Sequence, residues 1–435
     1  MNVAELLTTR LRELGVQRVY GDALGDLPHI PVGDPELAPL LADADGRIGA
    51  VDGAGRLGAA FISGPILHLS SKPGGLAPLQ DIGSPEELVD ALVDPPGLST
   101  PGTTALHLDL DLGAPVPDDI APTAEPERSP VLTLDRSMAD LRLMVIVGPG
   151  VVRDSSIEGL STFTRASGAG VFNTWGAKGV ERWDSPWHFG TIGAQAGDIS
   201  HIGLENVDVL ITSGLDPDEL GEIPHQVIQE VAPAQLGALC HNWDKRPDEP
   251  TRPSFYDSVA AIVGPMYESE STPLSPARAA LHVSGALPDG AIAVADPGPA
   301  GFWMARTFPT SIPNSVCVPA SGASGFAAAA ALVCAIEQRP VIAITSESAD
   351  AEIYSALGEL ASSLGHSIAL QVWGDAASVA GGSIPIVSVD DHVQMCLKQA
   401  AGELPGVSAV AVDLELPEEL EDLLGPVAAA LDPAL

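Results

Sequence analysis

Two spacings of apolar residues alternate along this chain. Val3, Leu6, Leu7, Leu11 and Leu14 lie on one helical stripe, with Asn2 and Glu5 set as a capping box and Gly15 as the stop, which predicts a helix over 2–15. Short apolar runs of strand length follow at Val16–Tyr20, Leu141–Val147, Val207–Ser213, Ala291–Ala295, Val341–Thr345 and Ile368–Trp373. Between the last two runs, Ile353, Leu357, Leu360 and Leu364 repeat at helical spacing and Gly365 ends the pattern. Strand, loop, helix, strand within 340–375 is a βαβ unit, so the expected class is α/β with parallel sheets and right-handed crossovers. The longest apolar run, Phe326–Ile336, falls short of the roughly 18 residues of a membrane span and reads as a buried helix.

Proline-rich stretches divide the pattern. Residues 115–130 and 242–276 read as linkers, giving domains at 1–114, 131–242 and 273–435. In the first, Asp45-Gly46 and Asp52-Gly53 read as turns beside short strands, and 65–69 reads as a strand. Ser84-Pro85-Glu86-Glu87 opens a helix, and Leu106, Leu108, Leu110 and Leu112 alternate as a half-buried strand with His107 on its solvent side. In the last, Ser275-Pro276 caps a helix ending near Ala286, 385–389 and 408–414 read as strands, and 391–401 and 417–431 read as helices.

Charge and cysteine usage narrow the partners. The net charge is −38, from 58 acidic against 20 basic residues. Nucleic acid and anionic membrane both require clustered Lys and Arg, so neither is an expected partner. Cys240, Cys317, Cys334 and Cys396 form no Cys-x-x-Cys pair and read as small buried residues of a reducing compartment. The N-terminus carries no secretory pattern, which makes a cytoplasmic location the expectation. Ligands of open α/β sheets lie outside the carboxyl ends of the strands, which points to the loops at Ser346-Glu347-Ser348 and Gly374-Asp375. Gly148-Pro149-Gly150 lacks the rest of a dinucleotide fingerprint and reads as a plain strand–helix turn. Lys178 is a candidate pocket residue with Trp175 and Trp183, although a lysine in a turn is ordinarily solvated.

Residues 273–375 resemble the third domain of the thiamine-diphosphate enzymes of the acetolactate synthase and 2-oxoacid decarboxylase kind. That family carries Gly-Asp-Gly after one strand and Asn-Asn after the next, and its Asp and Asn hold the magnesium that clamps the cofactor's diphosphate. Here those motifs align with Ser346-Glu347-Ser348 and with Trp373-Gly374 or Gly374-Asp375. Asp296-Pro297-Gly298 matches the family's Val-x-x-Asp-x-Gly loop, and Gly322-Ala323-Ser324-Gly325 its Gly-x-Met-Gly loop. Residues 171–180, 189–193 and 207–214 resemble its central domain, whereas 13–21 and 105–110 resemble the opening and close of its pyrimidine-binding first domain. The resemblance implies three doubly wound parallel-sheet domains, the first reduced. It implies cofactor contacts at Asp296, Gly298, Gly322, Gly325, Ser346 and Ser348, metal ligands at Glu347 and Asp375, and a dimer.

The chain departs from that pattern where the chemistry is densest. The family's pyrimidine-binding glutamate has no counterpart, since no glutamate lies between Glu36 and Glu86. Glu347 is one methylene longer than aspartate at a site where octahedral magnesium is unforgiving, and Ser346 and Ser348 replace glycines. The expectation is a degenerate homologue that binds no cofactor and acts as a binding, regulatory or scaffolding protein, as a homodimer or in complex with another protein. Two alternatives stand beside it. One is an active thiamine-diphosphate and magnesium enzyme acting on 2-oxoacids through Glu347 and Asp375. The other is a nucleotide-binding protein working through the central domain.

Overall fold

The structure is a computed structural model. It describes residues 1–48, 57–70, 79–93, 103–117, 134–216, 219–226, 228–241, 243, 249–319, 324–346, 352–375, 384–386 and 388–431. Gly322, Glu347, Ser348 and the Asp52-Gly53 turn lie outside them. The chain divides into two compact units, Met1–Pro130 and Val131–Leu435, and the described residues form three sheets.

The first unit opens with α1 (Val3–Glu13), closed by the expected capping box: Glu5 N–H donates to Asn2 Oδ1 at 2.8 Å, and Asn2 N–H to Glu5 Oε2 at 2.9 Å. After it come β1 (Val19–Gly21), β2 (His29–Ile30), α2 (Leu37–Ile48), β3 (Gly58–Ile62), β4 (Ile66–Ser70), β5 (Leu79–Ile82), α3 (Pro85–Ala91) and β6 (Thr103–Leu108). The sheet order is β2-β1-β3-β4-β6-β5. Two expectations are corrected. The sheet is mixed, because β4 runs antiparallel to both β3 and β6. Only Ser63-Gly64-Pro65 joins β3 to β4, too few residues for a parallel crossover. Asp45-Gly46 is no turn, for it lies in α2, where Asp43 meets His68 Nε2 at 2.8 Å. A Cβ on Gly46 would lie 2.1 Å from the Ser70 carbonyl, and one on Gly58 1.7 Å from that of Ala42, so glycines let α2 rest directly on the strands.

The second unit begins with β7 (Leu143–Val147), α4 (Gly150–Arg153), α5 (Ile157–Ser167), β8 (Gly170–Thr174), β9 (His188–Ile192), α6 (Asp198–His201), β10 (Val209–Ser213) and β11 (Ile228–Glu230). These strands are parallel in the order β11-β10-β7-β8-β9, and all but β11 are fully buried, as a sheet covered on both faces requires. The stretch 242–276, expected as a linker, carries α7 (Ser254–Glu268). Its prolines hide a helical stripe of Phe255, Val259, Ile262, Val263 and Met266, which packs on the core.

The unit continues with α8 (Pro276–Ala286), β12 (Ile292–Ala295), α9 (Pro299–Thr307), β13 (Val316–Cys317), α10 (Phe326–Ile336), β14 (Val341–Thr345), α11 (Glu352–Ser363), β15 (Ala369–Gly374), β16 (Ile384–Ile386), α12 (Val389–Ala400), β17 (Gly406–Ala411) and α13 (Glu418–Leu424). This third sheet is parallel throughout, in the order β13-β12-β14-β15-β17-β16. Numbered from β12 as the first strand, that order is the one seen in the first sheet. The tail helix is shorter than 417–431, since Gly425 turns the chain after Leu424. One apolar core joins Met144, Ile146 and Phe172 of the central sheet to Ile342 and Trp373 of the third and Trp303 of α9. All four cysteines are buried, and burial pushes the Cys240 and Cys396 thiols up to about 12.

Candidate functional site

In the third sheet the order reverses between β12 and β14, and the crevice there is the place where a ligand is expected. Asp296 leaves β12 fully buried. Its Oδ1 accepts the Ala327 N–H at 2.7 Å, in the first turn of α10, and its Oδ2 accepts the Tyr354 hydroxyl at 2.9 Å. A buried carboxylate needs such donors, and the exposed amides of a helix N-terminus supply favourable charge. Tyr354 also meets Thr345 Oγ1 at 2.9 Å, so α11 closes over the end of β14. Gly325 has φ +86, and a Cβ there would stand 2.6 Å from Ile353 Cγ1. Gly298, at φ +123, precedes α9, whose Ala300 N–H donates to Ser346 Oγ at 3.3 Å. Asp296, Gly325 and Ser346 therefore come together as helix anchors, and Asp375 is exposed at the end of β15.

The corresponding point of the central sheet lies between β7 and β10. Here Gly148 N–H donates to the Ser213 carbonyl at 2.9 Å and Gly150 N–H to that of Gly214 at 2.8 Å. Cβ atoms on Gly148 and Gly150 would fall within 2.5 Å of Gly214 atoms. The glycine turn thus serves close packing of two loops, and those two amides face backbone acceptors. Arg153 and Asp216, both buried, lock the same loops with a two-pronged ion pair. Glu219 fills the remaining space, accepting the Thr174 hydroxyl at 2.6 Å and the Gly176 N–H at 2.7 Å.

A different place stays open. A cavity of about 430 Å³ lies between α7, β9 and α9. Its apolar walls include Phe255, Val259, Val263 and Phe308, and its polar end carries Lys178, His188, Thr191 and Arg306. Tyr267 ties α7 to α9 by donating its hydroxyl to the Thr307 carbonyl. The expectation of a solvated Lys178 is corrected: the side chain is 7% exposed, because the turn after β8 folds inward beneath β9. Lys178 and Trp183 line the cavity as proposed from sequence, whereas Trp175 is fully buried in the core. Lys178 Nζ donates to Thr191 Oγ1 at 3.0 Å and, among the described residues, meets no carboxylate. Burial and the neighbouring Arg306 charge lower its pKa to about 7. His188 is lowered to about 3 by burial and by the Lys178 and Arg252 charges, and its Nδ1 has no partner among the described residues.

Arg306 sits beside Lys178 in another state. It donates to both Asp198 oxygens at 2.9 and 3.0 Å, to the Thr191 carbonyl at 3.0 Å and to Gln195 Oε1 at 3.1 Å. The pair is sealed from solvent, at 1% and 0% exposure. A further buried network joins α8, α12 and β15. His282 Nδ1 meets His392 Nδ1 at 3.0 Å, His392 Nε2 faces Gln371 Oε1 at 3.3 Å, and Trp373 Nε1 donates to the same oxygen at 2.8 Å. Burial holds both histidines neutral, at about 4 for His282 and about 3 for His392.

Sequence reasoning missed His188, Arg306 and α7. The stripe at Phe255, Val259 and Val263 was the available signal for the helix, whereas nothing in local sequence pairs Arg306 with Asp198, 108 positions away. Compared with known proteins, the sequence matches no family model and no curated protein.

Proposed function

We propose that this chain is a degenerate homologue of the thiamine-diphosphate enzymes that serves as a binding or regulatory protein, without the ordinary cofactor reaction. The observation that carries this reading is the state of Asp296. Its two carboxylate oxygens are engaged by Ala327 and Tyr354, and Ile353 stands against Gly325 where a diphosphate would need backbone room. The described residues of the crevice thus fit an intramolecular anchor better than a diphosphate cradle. The shared strand order of the first and third sheets supports the family reading, as the two motif-bearing domains of that family act together on one cofactor. The missing glutamate between Glu36 and Glu86 supports the loss of ordinary chemistry.

Calorimetric titration of thiamine diphosphate with magnesium into chelator-treated protein tests the proposal. The expected result is no saturable heat at millimolar ligand. Saturable binding that disappears in Glu347→Ala would overturn it and establish a rebuilt cofactor site.

A further inference from the structure

We propose that the cavity between α7, β9 and α9 binds a small monocarboxylate with an aliphatic or aromatic body, its carboxylate placed on Lys178. The inference is independent of thiamine-diphosphate binding, which concerns another sheet edge and another ligand.

Four observations converge on this class. The space, about 430 Å³, is of the size that holds small organic ligands. Its walls are apolar at Phe255, Val259, Val263 and Phe308, so the body of the ligand is apolar. Buried charges are ordinarily paired, and Lys178 has one neutral acceptor, Thr191 Oγ1, which also accepts from Asn173 Nδ2 at 3.1 Å. The ammonium keeps donor capacity for an anion. The only other cation lining the cavity among the described residues, Arg306, is neutralised by Asp198, which favours one negative charge over the two of a phosphate monoester.

Among the described residues, the titratable and charged groups lining the cavity with Lys178 are Arg306 from α9, His188 from β9, and Tyr256, Tyr267 and the exposed Glu268 from α7, with the Arg252 charge acting on His188 from beside them. A carboxylate reaching Lys178 stabilises the ammonium, so binding near neutral pH draws a proton onto the protein. A neutral ligand of the same shape does not.

The test uses octanoate and 1-octanol as probes on the full chain. Titration calorimetry at about pH 8, in two buffers of different ionisation enthalpy, should show saturable octanoate binding with proton uptake and distinctly weaker 1-octanol binding. Lys178→Met keeps the stem and removes the charge. It should weaken octanoate about tenfold or more, abolish the proton uptake and leave 1-octanol unchanged or improved. Val259→Trp fills the apolar end and should abolish both ligands with Lys178 intact, which keeps the proposal testable if Lys178→Met fails to fold. Absence of saturable octanoate heat at millimolar ligand would overturn the proposal. So would octanoate affinity equal in wild type and both variants, the mark of nonspecific partition.

Discussion

Arg306 and Lys178 stand at the same end of one cavity and are both withdrawn from water, yet they are built differently. Arg306 donates in a planar fork to Asp198, Thr191 and Gln195, and its charge is cancelled at 2.9 Å. Lys178 has a hydroxyl and no counter-charge among the described residues. A buried ion pair held by hydrogen bonds from both terminal guanidinium nitrogens is a structural device that ties the central sheet to α9. A buried cation lacking its partner raises the free energy of the fold, and folds keep such groups where a ligand completes them. The difference separates the joint from the site.

The largest expected effect tests the buried bases as a class. His188, His282 and His392 have folded pKa values of about 3, 4 and 3, below the ordinary 6.5. Between those limits the unfolded chain binds more protons than the fold, so stability falls as pH drops from about 6.5 towards 3. Each unit of separation is worth about 1.4 kcal/mol. Denaturant midpoints across this range should decrease steadily, and a flat profile would show these histidines to be solvated. The joint comes next. Arg306→Met strands the Asp198 carboxylate and should cost about 3–5 kcal/mol in chemical denaturation. A loss under about 1 kcal/mol would make the ion pair a bystander.

The smallest effect has the opposite sign. Lys178→Met should stabilise the fold by on the order of 1 kcal/mol near neutral pH, since it removes an unpaired buried charge. Its folded pKa of about 7 lies below the ordinary 10.5, so the unfolded chain binds more protons between those values. Wild-type stability should therefore rise relative to Lys178→Met as pH climbs from about 7 towards 10.5, and the gap should narrow. Matched thermal scans would measure it, and a wild type that outlasts the variant at every pH would show that Lys178 has a partner after all.

Local pattern carried most of the fold. The buried strands β7, β10, β12, β14 and β15, the capping box at Asn2 and Glu5, and the Ala-rich α10 follow from spacing and caps, which depend on neighbours a few residues apart, whereas β9, β11 and β13 were not expected as strands. Where it failed, a nearby signal was outweighed. Pro253, Pro265 and Pro273 masked α7, although Pro265 sits on an exposed position that the helix tolerates. Asp45-Gly46 resembles a turn, but the absence of a side chain at Gly46 lets α2 rest against the Ser70 carbonyl. Asp296, Gly325 and Ser346 were legible as residues of one strand-end crevice, whereas their mutual anchoring through Tyr354 and Ile353 was not.

The sequence by itself determined the class of fold, the longer buried strands and many of the helices, because hydrophobic periodicity and chain-end signals are short-range. It determined equally a net charge of −38, from 58 acidic against 20 basic residues. The tertiary structure decided the antiparallel course of β4, the pairing of Arg306 with Asp198 and the burial of Lys178. The first follows from the short Ser63-Gly64-Pro65 connection, whereas the other two are set by which surfaces exclude water around a group, and Arg306 lies more than a hundred positions from both Asp198 and Lys178. A lysine in a glycine turn is ordinary in sequence; packed beneath β9, α7 and α9, it becomes the charge that a ligand would answer.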